Sequence, residues 1–180
     1  EQLDDTQNPK VLVSAPSSKV LGNMLGQTDI LEYFKNNDYD VMHITSKFGA
    51  VINGKKVGRE EFFNVLQSWG GDDTKKFVIF HYSILSEGIN VPGLTHTILL
   101  RNLPIVEMAQ TIGRVIRVHK DDRAAVAAGD IPAGAFHLYK KSEGIVTMPT
   151  GYKMGNAIAQ RLQNVVNQIF LEGVPPLAYC

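Results

Sequence analysis

Two short runs, Phe77 to Tyr82 (FVIFHY) and Thr97 to Leu100 (TILL), are almost continuously apolar. A strand with one wet face alternates polar and apolar side chains, whereas a strand without that alternation needs cover on both faces. Helices on either side of a sheet give such cover, and sheets of that kind are mainly parallel. The remaining segments fit this requirement. Val11 to Val13 and Asp40 to Thr45 read as strands, and Val20, Met24, Leu25, Ile30, Leu31 and Phe34 follow helical spacing despite Gly22 and Gly26. Gly49 to Gly58 (GAVINGKKVG) reads as a hairpin or loop turning at Asn53-Gly54. Glu60 to Trp69 places Phe62, Phe63, Leu66 and Trp69 on one side of a helix that Gly70-Gly71-Asp72-Asp73 stops. Further helices are predicted over Ile105 to Val118 and Asn156 to Leu171, and a strand over Ala135 to Tyr139. The expectation is a three-layer α/β domain over residues 1–150. A helical extension over 151–180 packs on it or on a neighbour outside the chain.

Charge restricts the partners. Lys plus Arg equals Asp plus Glu, 18 each, so the formal net charge is zero and no global basic surplus exists to hold nucleic acid by counterion release. Local contacts are still open. Cys180 is the single cysteine, which excludes a disulfide framework or a cysteine-built metal site within one chain and favours a reducing, intracellular setting. No apolar run approaches the length that spans a bilayer. The start at Glu1 without a methionine suggests an excised fragment, with a processed terminus as the alternative.

The chemistry-bearing stretch is Gln110 to Arg117, QTIGRVIR. On a helix, Gln110, Arg114 and Arg117 fall within an arc of roughly 60°, opposite Met108, Ile112, Val115 and Ile116. One face then buries, while the other projects a carboxamide and two guanidiniums that suit a polyanion such as a nucleotide phosphate. Taken alone, the pattern fits a solvated face with salt bridges better than a phosphate site.

Upstream lies Ser83 to Pro92 (SILSEGINVP), directly after an apolar run, followed by a second buried strand and the turn Arg101-Asn102-Leu103-Pro104. This succession resembles motifs V and VI of superfamily 2 helicases: strand, EGIDVP-like loop, strand, then QxxGRxxR. The resemblance is firm over Phe77 to Arg117, weaker over Val11 to Trp69, and supplies little beyond Lys120. It implies the C-terminal RecA-like (P-loop NTPase-type) domain of a helicase or translocase.

Carried over by position, the resemblance makes Arg114 and Arg117 the arginines that reach ATP phosphates across an interdomain cleft, with Arg117 nearest the transferring phosphate. It gives Gln110 a contact to the phosphates or the hydrolytic water, and Gly88 a close backbone approach. Asn90 stands where many relatives carry an aspartate near the sugar, and lacks its charge. Glu87 belongs to the same loop, with a loop salt bridge as its other reading. Ser17, Ser18 and Ser83 stand at strand ends where the family holds the phosphodiester backbone; simple N-capping is the alternative for the first two.

Other groups read as structural. Lys55, Lys56 and Arg59 fit a solvated loop better than a basic contact. Phe62, Phe63 and Trp69 fit core packing better than base stacking, and His81 fits a hydrogen-bonded core residue. His81, His96, His119 and His137 show no metal-ligand spacing. There is no Gly-x-x-x-x-Gly-Lys-Ser/Thr loop and no acidic Walker B box. ATP and Mg²⁺ would therefore be held mainly by an N-terminal RecA-like domain, with DNA (favoured) or RNA as the track and no ATPase activity from this chain alone. The competing reading is a non-catalytic RecA-like module that binds nucleic acid or a protein partner.

Overall fold

A computed structural model of the chain describes residues 8–45, 48–82, 91–149 and 155–169. Strands β1 (Lys10–Ser14), β2 (Asp40–Thr45), β3 (Gly49–Ile52), β4 (Lys55–Val57), β5 (Phe77–His81), β6 (His96–Leu99) and β7 (Ile145–Thr147) form one sheet in the order β4-β3-β2-β5-β1-β6-β7. The five strands β2, β5, β1, β6 and β7 are parallel, and the hairpin β3–β4 extends the β2 edge antiparallel. Every residue of β1 and β5 is buried, as their apolar centres require, and the polar Lys10, Ser14 and His81 at their ends are buried with them. Alternate residues serve opposite faces: Val11, Val13, Val78 and Phe80 belong to one core, and Leu12, Phe77 and Ile79 to the other.

Helices α1 (Ser18–Gln27) and α2 (Ile30–Asn36) cover the first face through Leu21 and Phe34. Thr28 breaks what the spacing presents as a continuing helical pattern, because its hydroxyl bonds the Met24 carbonyl and the Ile30 amide. Helix α3 (Arg59–Gly71) covers the second face through Phe62 and Leu66. The Asn53-Gly54 turn has positive φ at both residues, 49° and 80°, the geometry of a two-residue type I′ hairpin. Asn53 also accepts from the Val41 amide and donates to Asp40, each at 2.8 Å. Phe62, Phe63 and Trp69 all pack in the core under α3.

Helix α4 (Ile105–Val115) is followed by α5 (Lys120–Ala128), a 3₁₀ turn (Phe136–Leu138) and α6 (Gly155–Ile169). Leu162 and Val165 of α6 pack with Leu99, Leu103, Met108 and Ile112. Arg161 ties the same helix to Asn102 and the Leu103 carbonyl.

Two expectations are corrected. Ala135 to Tyr139 is no strand: the Gly134 amide donates to the Tyr139 hydroxyl across a compact turn, and the sheet edge beside β6 is taken by Ile145–Thr147. Phe136 and Leu138 are exposed, so the alternation of AFHLY has no buried face behind it. The α4 helix ends at Val115 rather than Val118, which places Arg117 outside it.

Candidate functional site

The C-terminal half of α4 runs back along the sheet to the edge where β1 and β6 begin. There a cavity of about 390 Å³ opens, floored by Gly70, Gly71, Val91, Pro92 and Gly93 and walled by Arg114, Arg117, Val118, His119, Lys120, Arg123 and Lys141. Volumes of several hundred Å³ are those of small-ligand sites. The floor exists because two glycines interlock. A Cβ on Gly70 would lie 2.6 Å from the Pro92 carbonyl oxygen, and one on Gly93, whose φ is +67°, would lie 2.4 Å from that of Gly70. Beneath them, the buried Lys10 ammonium donates to the Gly70 carbonyl at 2.8 Å. Burial lowers the pKa of Lys10, against the pull of Asp73 and Asp72.

The walls gather cations. Arg114 is 7% exposed, which corrects the picture of two guanidiniums projecting freely from one helix face. Burial first, and the Arg117 guanidinium second, draw its pKa below the ordinary value. A guanidinium stays charged nonetheless. Arg117 is exposed and lies two residues past the helix end, so helical periodicity does not place it. Gln110, one turn earlier on α4, is exposed and is not among the cavity's lining residues. The two arginines meet at one basin; the glutamine stands apart from it.

Sequence reasoning missed the other walls. Lys120 and Arg123 sit three residues apart at the start of α5, a spacing that puts them on one face. Lys141 comes from the segment after the 3₁₀ turn, and only the adjacent Lys140-Lys141 pair signals it in the sequence. His119 caps α5 by accepting from the Asp121 amide, and its Nε2 lies 2.9 Å from Asp73, a pair of bonds that fits the Nε2–H tautomer. Asp73, His119 and Asp121 come close enough for a metal ion, contrary to the expectation from spacing. The Lys140 ammonium bridges the two carboxylates instead, at 2.5 and 3.1 Å. The Lys140 hydrogen bond, with help from His119, holds the Asp73 carboxyl at about 2.

The opposite edge of the sheet carries Ser17 and Ser18. Ser17 caps α1 by accepting from the Val20 amide at 3.1 Å, so its hydroxyl has the capping role, and Ser18 is the first residue of that helix. One strand length, about 16 Å for five residues, separates this edge from the basin. Also near the strand ends, His81 is a buried core residue bonded to Ser14 at 2.9 Å. Burial, then Arg101 and Arg114, push its pKa down to about 3. Ser83, Glu87, Gly88 and Asn90 lie outside the described residues.

Among solved structures, the C-terminal part of the Fun30 ATPase domain is similar to this chain, with a TM-score of 0.52. The fold is RecA-like. At 17% identity the likeness speaks to architecture alone; it covers 89% of this chain and 41% of the other. No family model and no curated protein matches the sequence. Among the described residues, no helix is long and apolar enough to cross a membrane.

Proposed function

We propose that this RecA-like chain is the second motor domain of an ATP-dependent helicase or translocase, and that its basin receives the triphosphate of ATP held by a partner RecA-like domain. One observation carries the reading. A chain with zero formal net charge concentrates Arg114, Arg117, Lys120, Arg123 and Lys141 around a single cavity. The nearby carboxylates Asp73 and Asp121 are already engaged by Lys140. Such segregation suits a compact polyanion, because fixed guanidiniums stabilise charge that builds up during phosphoryl transfer without reorganising. The resemblance of QTIGRVIR to motif VI supports the same assignment, with Arg117 as the finger and Arg114 as its buried neighbour. The basin's cationic donors do not fit Mg²⁺, which on this reading accompanies ATP on the partner domain. DNA or RNA would run along the opposite edge, near Ser17 and Ser18; Ser83 keeps this role from the resemblance alone.

In the intact protein, Arg117→Ala should lower kcat for ATP by about 10³-fold or more, as loss of an arginine finger does. The 180-residue chain alone should bind tripolyphosphate without turning over ATP. Unchanged turnover in both Arg114→Ala and Arg117→Ala would reject the motor assignment in favour of a non-catalytic module.

A further inference from the structure

The end of α4 poses a question that the helix itself does not answer: what fixes Arg117, two residues beyond the last helical turn? Among the described residues, Lys141 reaches its backbone. The Lys141 ammonium donates to the Val115 carbonyl, the last of the helix, and to the Arg117 carbonyl at 2.9 Å. These are acceptors with no intrahelical donor, at the end of the helix dipole that favours a cation. Lys141 is itself anchored. The buried Asp122 carboxylate accepts from the Lys140 and Lys141 amides at 2.8 and 3.1 Å, fastening the segment to α5. Three residues on, Gly144 lies so close to α4 that a Cβ there would sit 2.6 Å from the Val115 carbonyl oxygen.

We infer that Lys141 is a positioning residue, a clasp that caps α4 and fixes the backbone of Arg117 so that its guanidinium faces the basin. The chain of contacts runs from Asp122 through the 140–141 backbone to the Lys141 ammonium, and from there to Arg117. This role rests on the reading of the basin as a triphosphate half-site, but the clasp can be observed without any ligand. Burial brings the Lys141 ammonium down to about 8, with Asp122 acting in the opposite direction. Arg114, Arg117, His119, Lys120 and Arg123 also line the basin that it borders. The charged clasp is present below that pH and weakens as pH rises through it, because a neutral amine donates more weakly than an ammonium.

Carbon-detected NMR of the full chain between pH 6.5 and 9.5 tests this directly. In the wild type, the carbonyl shifts of Val115 and Arg117 should move together with a midpoint near 8, and the Lys141 side-chain carbon should titrate with them. Lys141→Arg, which stays charged, should flatten both carbonyl curves. Lys141→Met should hold them at the high-pH value. Tripolyphosphate affinity should fall about tenfold across the same range in the wild type and in Lys141→Met at every pH, but not in Lys141→Arg. If Lys141→Met does not fold, the wild type and Lys141→Arg decide between them. Carbonyl shifts that stay flat in the wild type while tripolyphosphate still binds would overturn the clasp and spare the half-site. Titrating carbonyls in a protein that ignores tripolyphosphate would support the clasp and reject the half-site.

Discussion

Replacing Gly93 by alanine tests how the basin is built. Two costs can be worked from the structure. The backbone there is left-handed, at φ +67°, which costs an L-residue with a side chain about 1–2 kcal/mol. The new Cβ would also meet the Gly70 carbonyl oxygen at 2.4 Å, where ordinary contact begins at 3.4 Å, so something must retreat by about 1 Å. The Gly70 carbonyl cannot retreat freely, since it accepts from the buried Lys10 ammonium at 2.8 Å. Losing a hydrogen bond to a buried charge costs about 1.5–3 kcal/mol. Gly93→Ala should therefore destabilise the chain by about 2.5–5 kcal/mol, a large share of the roughly 5–15 kcal/mol that holds a typical domain.

Urea unfolding of the full chain measures this, with Gly129→Ala as the control. Gly129 closes α5 at φ +82° with no atom within 4 Å of its would-be Cβ, so it carries only the backbone cost of about 1–2 kcal/mol. The difference between the two variants isolates the collision with Gly70. Equal losses, within about 0.5 kcal/mol, would refute the interlocked floor.

Two further outcomes follow from local geometry. Asn53→Ala should cost about 1–2 kcal/mol in urea unfolding, by losing its bonds to the Val41 amide and Asp40 in a left-handed turn, while Asn53→Gly should recover the backbone part. For His81, the folded pKa of about 3 lies below the ordinary 6.5, so the unfolded chain binds the extra proton and stability falls as pH drops through that interval. Between pH 6 and 4.5, His81→Asn should reduce the wild-type slope of stability against pH by up to ~1.4 kcal/mol per unit; identical slopes would show that the ring is not held neutral. His43, also lowered by burial, contributes with the same sign in both proteins.

Much of the fold was legible because burial on two faces leaves a plain trace. FVIFHY and TILL announce covered strands, and Asp40 to Thr45 was delimited as the structure has it. Local chemistry was equally readable at Asn53-Gly54 and at Ser17, where the turn and cap depend on residues adjacent in the chain. AFHLY shows the limit: five alternating residues satisfy the strand period, yet among the described residues no partner strand waits there. The candidate site was legible only in its first two members. Arg114 and Arg117 stood out within QTIGRVIR, but their shared helical face did not survive, because α4 stops between them.

The sequence by itself determined the α/β layering, the apolar strands and the pair of arginines, since each follows from side-chain pattern within one segment. Tertiary structure alone decided the basin. Gly70, Gly93, the Lys120–Arg123 pair and Lys141 come from separate segments, and the bonds that hold these segments in place span tens of residues, as between Lys10 and Gly70 or Lys141 and Val115. Pattern records which face of an element must avoid water. It does not record which carbonyl at the end of a helix will find a distant ammonium, because that pairing exists only once the chain has closed on itself.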